Sequence, residues 1–189
     1  LGEGWDLSRI IVNRLGEFEG VVFVSPAGSL RRMKETIGDL DILVAAEKDA
    51  TNKIIKAFTD LEIVEEVLLS GPTKTSVRFK GGLQGDLRIV EPSRWGTALQ
   101  YFTGSQQHNI SLREIALKKN LSLSEYALTD KINNKEILCS SEEEVYEKLG
   151  MSWIPPEIRE GTIEINLALE GKLPRLVEVG DIEGDLQIH

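Results

Sequence analysis

The sequence is poor in the residues that build disulfides and zinc sites. Cys139 is the lone cysteine, so no disulfide can form within the chain, and this fits a reducing cytoplasm. His108 and His189 are the only histidines, which argues against a structural zinc centre. No apolar run approaches the roughly 20 residues of a membrane-spanning helix, and no signal-peptide pattern opens the chain. We therefore expect a cytoplasmic protein with no membrane partner.

The net charge of −9 is concentrated in one part of the chain. Residues 25–120 hold 14 basic and 12 acidic side chains (+2), whereas residues 121–189 hold 6 basic and 15 acidic ones (−9). An acidic chain ordinarily argues against a nucleic-acid partner, but here the segment with the motifs is slightly basic. A nucleic-acid partner stays open, although a strong grip on a phosphate backbone would have to come from elsewhere.

Apolar spacing predicts an α+β protein made of two consecutive units. Residues 1–91 would form a mixed β-sheet flanked by helices, residues 92–156 a small α+β unit, and residues 157–189 one more helix with an acidic tail. The predicted helices span 5–16, 50–60, 93–101, 106–119, 142–149 and 161–170, besides a short helix after Gly28. The predicted strands span 20–24, 39–46, 62–69, 74–80, 83–90, 123–129 and 135–139.

Three aspartates suggest a metal site. Asp39 and Asp41 lie two residues apart on a predicted strand and so project from the same face. If Asp86 occupies a neighbouring strand, three carboxylates converge, and two of them 4 Å apart repel by about 4 kcal/mol at an effective dielectric of 20. A fold that gathers them needs a compensating cation, and ligands made only of oxygen suit Mg²⁺ or Mn²⁺.

A Gly-Ser step stands upstream of these aspartates. Gly28 and Ser29 open the short predicted helix, where free backbone N–H groups and a hydroxyl favour an anion. Arg32, one turn further on, can add a bidentate guanidinium. Gly28 lets a ligand approach the backbone, and Gly38 keeps the mouth of the acidic strand open. The arrangement suits a triphosphate whose oxygens also coordinate the metals.

The ordered set of motifs resembles a known family. Gly28-Ser29, Asp39-x-Asp41 and a third aspartate on a later strand resemble the nucleotidyltransferase superfamily. The segment 101–105, Tyr-Phe-Thr-Gly-Ser, followed by Asn109 and Arg113, is similar to the nucleotide-binding corner of the family X DNA polymerases, the group that includes DNA polymerase beta. Gln84 before Asp86 is more like the bacterial and archaeal members. The resemblance covers nearly the whole chain.

This resemblance implies a palm subdomain over 1–91, a thumb or nucleotide-binding subdomain over 92–156, and two bound ions, Mg²⁺ or Mn²⁺. The substrates would be dNTP and primer–template or gapped DNA, and the enzyme would extend the primer. Asp39, Asp41 and Asp86 would be the catalytic metal ligands. The implied nucleotide-binding residues are Gly28, Ser29, Arg32, Gly38, Tyr101, Phe102, Gly104 and Asn109. Arg113 would approach the template strand, and Arg88, a weaker candidate for DNA binding, would pair with Asp41 while the site is empty.

Other interpretations remain open. A nucleotidyltransferase acting on protein, antibiotic or RNA would share the aspartates, and a fragment could bind nucleotide without activity because helix-hairpin-helix elements are missing from these residues. Tyr101 and Phe102 could be ordinary core residues at a helix end, with Gly104 as a C-cap. Residues 173–189 resemble the start of the linker into a polymerase-and-histidinol-phosphatase (PHP) domain. We therefore expect the core of a longer enzyme with N-terminal DNA-binding domains and a C-terminal PHP domain.

Overall fold

In the computed structural model, residues 2–184 are described, and they begin with a five-stranded mixed sheet flanked by helices. Its order is β1-β2-β5-β4-β3. The strands are β1 (Val21–Pro26), β2 (Asp39–Ala46), β3 (Val64–Ser70), β4 (Thr75–Phe79) and β5 (Gln84–Val90). The helices are α1 (Gly2–Gly16), α2 (Gly28–Arg31) and α3 (Thr51–Thr59), with 3-10 turns at Lys48–Ala50 and Pro92–Arg94. The predicted fold class is confirmed.

The pairing of β2 with β5 sets the position of the acidic residues. These two strands are parallel, whereas the other neighbours in the sheet are antiparallel. Asp41 lies opposite Asp86 in the register, and Asp39 lies opposite Gln84. Since side chains alternate between the two faces of a sheet, Asp39, Asp41 and Asp86 project from the same face. The predicted juxtaposition of the two strands is therefore confirmed.

Helices α1 and α3 cover the other face of the sheet through a shared apolar core. Ile11 and Leu15 of α1, and Ile54 and Phe58 of α3, have no exposed surface. They pack with alternate residues of the central strands, among them Leu40, Ile42, Val44, Val77 and Leu87. Because Leu40 and Ile42 alternate with Asp39 and Asp41, burial of the apolar side chains fixes which face the carboxylates occupy.

The second unit is a small α+β body built around its own core. It contains α4 (Trp95–Thr103), α5 (Gln106–Lys118), α6 (Glu142–Lys148) and α7 (Glu164–Leu169), with 3-10 turns at Pro156–Ile158 and Val179–Asp181. Three short strands, β6 (Leu121–Leu123), β7 (Leu128–Asp130) and β8 (Lys135–Ile137), form an antiparallel sheet. Buried apolar side chains from α5, α6, α7 and these strands make up its core.

One predicted strand of this unit was wrong. Residues 123–129 are not a single strand but the end of β6, a turn and the start of β7. The hydroxyl of Ser124 receives the backbone N–H groups of Tyr126 and Ala127 and folds the turn. Leu123 before the turn and Ala127 after it are both buried. Apolar residues on both sides of the turn made the segment look like one continuous strand.

The predicted start of α6 is confirmed, because the Ser141 hydroxyl accepts the N–H of Glu144. The reciprocal bond of a capping box is shifted by one residue, since the Glu144 carboxylate accepts from the backbone N–H and the hydroxyl of Ser140. None of the described helices is long and apolar enough to cross a membrane. Residues 185–189, where the resemblance to a PHP linker ends at His189, lie outside the described residues.

A buried ion cluster joins the two units. Glu142 at the start of α6 accepts two hydrogen bonds of 2.8 Å from Arg31 of α2 and two of 2.6 and 3.0 Å from Arg159. The indole N–H of Trp153 donates a fifth bond at 3.0 Å, and Arg31 also donates to the Thr103 hydroxyl. Burial alone would raise the pKa of Glu142, but the two guanidinium groups outweigh it and hold that pKa at about 2.

Acid should therefore unfold the protein partly through Glu142. Its folded-state pKa lies below the ordinary 4.5, so its contribution is complete above about pH 4.5 and is lost as the pH falls towards 2. We expect Glu142→Gln to lower the free energy of unfolding at pH 7 by roughly 3 kcal/mol or more, because two buried arginines lose their counter-charge. Urea denaturation at pH 7 and pH 3 should show a smaller pH dependence in the variant.

The control is Glu143→Gln, the exposed neighbour in the same helical turn. It removes the same charge and should shift the free energy of unfolding by less than about 0.5 kcal/mol. Equal effects of the two variants would contradict the assignment of Glu142 as the junction residue.

Candidate active site

Three carboxylates meet on the open face of the sheet, at the start of β2 and β5. One oxygen from each of Asp39, Asp41 and Asp86 lies within 4.8 Å of the others. Asp39 is exposed, Asp41 is half-buried and Asp86 is 6% exposed. The cluster therefore opens towards solvent at Asp39 and is closed at Asp86, as expected for a site that a soluble ligand enters from one side.

The crowding of carboxylates changes the acidity of Asp41. Burial, followed by the charges of Asp39 and Asp86, raises the pKa of Asp41 to about 6. The positive charge of a bound divalent cation would relieve this repulsion. Carboxylate oxygens are the ligands that Mg²⁺ and Mn²⁺ prefer. The donor set thus fits a divalent cation.

Asp86 has its own counter-ion in Lys74, which precedes β4. The Lys74 ammonium lies 2.5 Å from Oδ2 of Asp86, and Gln84 donates to Oδ1 at 3.1 Å. Burial works to raise the pKa of Asp86, but hydrogen bonds from Lys74, Ser76 and Gln84 outweigh it, so the pKa lies below its usual value. Asp86 is held ionised at neutral pH.

The expected ion pair between Arg88 and Asp41 is not formed. Among the described residues, the Arg88 guanidinium lies over the ring of Phe102, 4.4 Å from its centroid. The cation that pairs with the cluster is instead Lys74, and it does so at Asp86 rather than at Asp41. The sequence reasoning missed Lys74 because it lies in the turn between β3 and β4, ten residues or more from each aspartate motif, and no local pattern connects them.

Gly28 forms the wall of the cluster. Its φ of +58° is a left-handed conformation that favours glycine. A Cβ atom at this position would overlap Oδ2 of Asp41. The backbone of α2 thus approaches the carboxylate more closely than any other residue type would permit, and this gives the Gly-Ser step a physical reason. Gly38 is different, because a Cβ there would meet no atom within 4 Å.

The residues predicted to bind phosphates lie beside this wall. Ser29 is half-buried in the first turn of α2, and Arg32 directly follows α2. Arg32 donates through Nη1 to the carbonyl of Thr103, while its Nε is buried without a hydrogen-bond partner among the described residues. A buried guanidinium N–H without a partner is uncommon, and an anion bound here would satisfy it. This orphaned donor supports the predicted fit of a triphosphate.

The segment 101–105 lies across from the aspartates. Phe102 shares a small cavity with Asp41, Asp86 and Arg88, and its ring meets that of Tyr101 edge to face at 5.1 Å. Gly104 has a φ of +70°, and the Gly104–Ser105 peptide is cis. The Ser105 hydroxyl caps α5 by accepting the N–H of His108.

The other two predicted site residues differ in exposure. Asn109 is buried in the first turn of α5, where its amide bonds to Gln100 and to the carbonyl of Tyr101. Arg113, one turn further along α5, is exposed and free to meet a phosphate backbone. The structure therefore brings the aspartates, the Gly-Ser turn and the segment 101–109 together at one site. The catalytic and binding roles of the individual residues at this site stay predictions.

Comparison with known proteins supports the same interpretation. Residues 98–160 match the family model of the DNA polymerase beta thumb. Over its full length the chain is 35% identical to the DNA polymerase/3'-5' exonuclease PolX of Bacillus subtilis, of which it covers 33%. Across 70% of the chain it is 28% identical to DNA polymerase lambda of Rattus norvegicus, covering 28% of that protein. Across 67% it is 30% identical to DNA nucleotidylexotransferase of Monodelphis domestica, covering 26%.

The mixed sheet with its acidic cluster beside a Gly-Ser turn is that of a nucleotidyltransferase. With these matches, the predicted resemblance is confirmed. The chain belongs to the family X DNA polymerases, and it spans between about a quarter and a third of the length of the curated relatives it matches.

The close approach of Gly28 to Asp41 can be tested by adding one methyl group. Gly28→Ala places Cβ onto the carboxylate and strains a left-handed backbone, so we expect Mn²⁺ affinity to fall by at least about tenfold, or about 1.4 kcal/mol. Titration of Mn²⁺ monitored by electron paramagnetic resonance measures it. Gly38→Ala adds the same methyl group in open space and should change the affinity less than about twofold. Similar losses in both variants would contradict the steric explanation.

Lys74 should compete with a cation for Asp86. Its ammonium contacts the same carboxylate that would ligate the ion. We expect Lys74→Met to raise Mn²⁺ affinity by about tenfold, or about 1.4 kcal/mol, in the same titration. Lys80→Met, which removes an exposed lysine just beyond β4, controls for net charge. A weaker affinity in Lys74→Met would show that Lys74 organises the site rather than competing for it.

Proposed function

We propose that this chain is the catalytic core of a template-directed DNA polymerase, which transfers a nucleotidyl group from a dNTP to a primer 3′-hydroxyl. The observation that carries the proposal is the convergence of Asp39, Asp41 and Asp86 within 4.8 Å beside the wall formed by Gly28. Residues 1–91 act as the palm, 92–156 as the thumb that closes over the nucleotide, and 157–189 lead towards a PHP domain.

The aspartates hold two divalent ions, Mg²⁺ or Mn²⁺. When bound, the ions supply positive charge to the triphosphate and lower the pKa of the primer hydroxyl. Asp39, exposed at the mouth, and Asp41, whose pKa is raised to about 6 by burial and by the neighbouring carboxylates, would hold the ions that the incoming phosphates meet. Asp86, kept ionised by Lys74 and Gln84, is the group that accepts the primer hydroxyl proton.

The phosphates of the dNTP lie against α2 and the segment that follows it. The Ser29 hydroxyl donates to a phosphate oxygen, and the unpartnered Nε of Arg32 provides a charged donor next to it. Both groups stand on a backbone that is fixed from the far side, because Arg31 is held by the buried Glu142. The phosphate site is therefore preorganised before nucleotide enters.

The sugar and the base lie along the segment 101–109. Tyr101 and Phe102 present half-buried rings, and Asn109 faces the minor-groove edge of the new base pair. Gly104 lets the guanidinium of Arg32 approach the backbone, since a Cβ there would lie 3.0 Å from Nη1. Arg113 on the exposed side of α5 meets the template strand. The Arg88 guanidinium on β5 lies over the ring of Phe102 and so links the Tyr101–Phe102 pair to the sheet. A contact between Arg88 and DNA is a weaker proposal.

We include in the proposal a role in DNA repair, by filling short gaps. The slightly basic segment 25–120 offers little electrostatic grip on DNA of its own. In the parent chain, N-terminal DNA-binding domains supply that grip. Two of the relatives are named DNA nucleotidylexotransferase. Addition of nucleotides without regard to the template is therefore the alternative that the assay must separate.

Extension of a primer across a one-nucleotide gap tests the proposal. We expect incorporation of the dNTP that matches the template, with Mg²⁺ or Mn²⁺ present. Asp86→Ala should abolish turnover, a loss of at least about 10³-fold, and leave nucleotide binding partly intact, because Ser29 and Arg32 remain. Calorimetry with dNTP and Mn²⁺ measures the retained binding.

Asp60→Ala is the matched control, since Asp60 is an exposed carboxylate at the end of α3, paired with Lys56. It should leave turnover unchanged. Normal incorporation by Asp86→Ala would refute the catalytic role of Asp86. Extension by all four dNTPs irrespective of the template would favour the alternative.

A further inference from the structure

Helix α4 carries a buried glutamine next to the aromatic pair. Gln100 is 1% exposed and is surrounded on α4 by the buried residues Leu99 and Thr103. Burial of a long polar side chain costs both desolvation and rotamer entropy, and such groups therefore need hydrogen-bond partners. Gln100 donates from Nε2 to Oδ1 of Asn109 at 2.7 Å, across to the first turn of α5.

The same Asn109 amide is held from its other end. Its Nδ2 donates to the backbone carbonyl of Tyr101 at 2.8 Å. Rotation of the amide by 180° would bring Nδ2 of Asn109 against the Nε2 donor of Gln100, and Oδ1 against the carbonyl of Tyr101. The contact with the carbonyl of Tyr101 would become repulsive, and so would the contact with Gln100 in its present orientation, so the two partners together favour Nδ2 as the donor towards Tyr101.

We infer that Gln100 is a positioning residue for nucleotide selection, which orients the Asn109 amide so that it presents an N–H donor to the minor-groove edge of the incoming base. This inference rests on the proposed function. An Asn amide has two N–H groups, and Tyr101 uses only one of them. The second N–H is left for the nucleotide beside Tyr101 and Phe102.

An N–H donor at this place suits a polymerase that must accept all four bases. In the minor groove, A·T and T·A pairs both present acceptors, the adenine N3 and the thymine O2. A donor at the minor-groove edge therefore recognises the position of an acceptor rather than the identity of a base. An amide free to rotate would present an acceptor part of the time and would lose that recognition. Gln100 and the carbonyl of Tyr101 together remove this ambiguity, and the contribution of Gln100 requires a buried polar group in α4.

The test compares dATP with 3-deaza-dATP, in which a C–H group replaces the minor-groove acceptor N3. Their dissociation constants are measured with Mn²⁺ on gapped DNA that has a template thymine and a dideoxy-terminated primer, so no chemistry occurs. For the unchanged chain we expect 3-deaza-dATP to bind about fivefold or more weakly than dATP. Asn109→Ala should bring this ratio close to one.

Two substitutions of Gln100 then separate orientation from general stability. Gln100→Leu removes the donor and keeps the bulk, and should reduce the ratio in part because Tyr101 still holds Nδ2. Gln100→Glu places a carboxylate against Oδ1, favours the rotated amide, and should bring the ratio to about one. Gln106→Glu, an exposed change of the same kind at the start of α5, should keep the ratio of the unchanged chain.

A purely structural role of Gln100 would not change the ratio of the dissociation constants of 3-deaza-dATP and dATP. Loosened packing between α4 and α5 would weaken both nucleotides equally and leave the ratio intact. A ratio in Gln100→Glu equal to that of the unchanged chain overturns the inference, and so does an unchanged chain that binds both nucleotides alike, while the proposed function stands. Failure of the unchanged chain to bind dATP at all overturns both.

Discussion

Mutual repulsion of carboxylates is the constraint on which this structure depends. Asp39, Asp41 and Asp86 are held with oxygens within 4.8 Å of one another, an arrangement that would disperse unless the surrounding fold enforced it. Two features enforce it: the parallel register of β2 and β5, and the apolar side chains that alternate with the aspartates and are buried under α1 and α3. The core on one face of the sheet thus maintains the charge cluster on the other.

The carboxylates of the cluster lie in different electrostatic environments. Asp86 accepts hydrogen bonds from Lys74, Ser76 and Gln84 and stays ionised, whereas burial and then the charges of its neighbours raise the pKa of Asp41 to about 6. Two carboxylates in register across adjacent strands therefore differ in acidity, and part of the difference comes from Lys74 on a separate turn. The three carboxylates are therefore not chemically equivalent.

The buried ion cluster around Glu142 extends the same logic to the junction of the two units. Arg31 follows the Gly-Ser turn on α2, and its guanidinium donates to Glu142 at the start of α6. Arg159 donates to the same carboxylate. A single carboxylate with two bidentate arginines fixes geometry more strictly than apolar contact would, because each bond has a direction. The side of the first unit that carries the Gly-Ser turn is thereby tied to the second unit.

Short-range pattern was sufficient wherever a residue's role depends on its neighbours in sequence. Alternation of apolar and acidic residues in 39–46 and 83–90 determined both strands and the face on which the aspartates lie, and the Gly-Ser step marked the turn that packs against Asp41. The same reliance on alternation failed at 123–129, where buried residues continue through a turn. It also could not anticipate that Arg88 would lie over Phe102 rather than pair with Asp41.

The amino-acid sequence by itself determined the α+β class, the acidic triad, the Gly-Ser turn and the family of this chain, because each is encoded in the spacing of adjacent residues. Only the tertiary structure decided the partners: Lys74 for Asp86, Gln100 for Asn109, and Glu142 for Arg31 and Arg159. The reason is physical. A strand fixes the direction of its side chains over two residues, whereas a charge or an amide is satisfied by whichever segment the fold brings within about 3 Å.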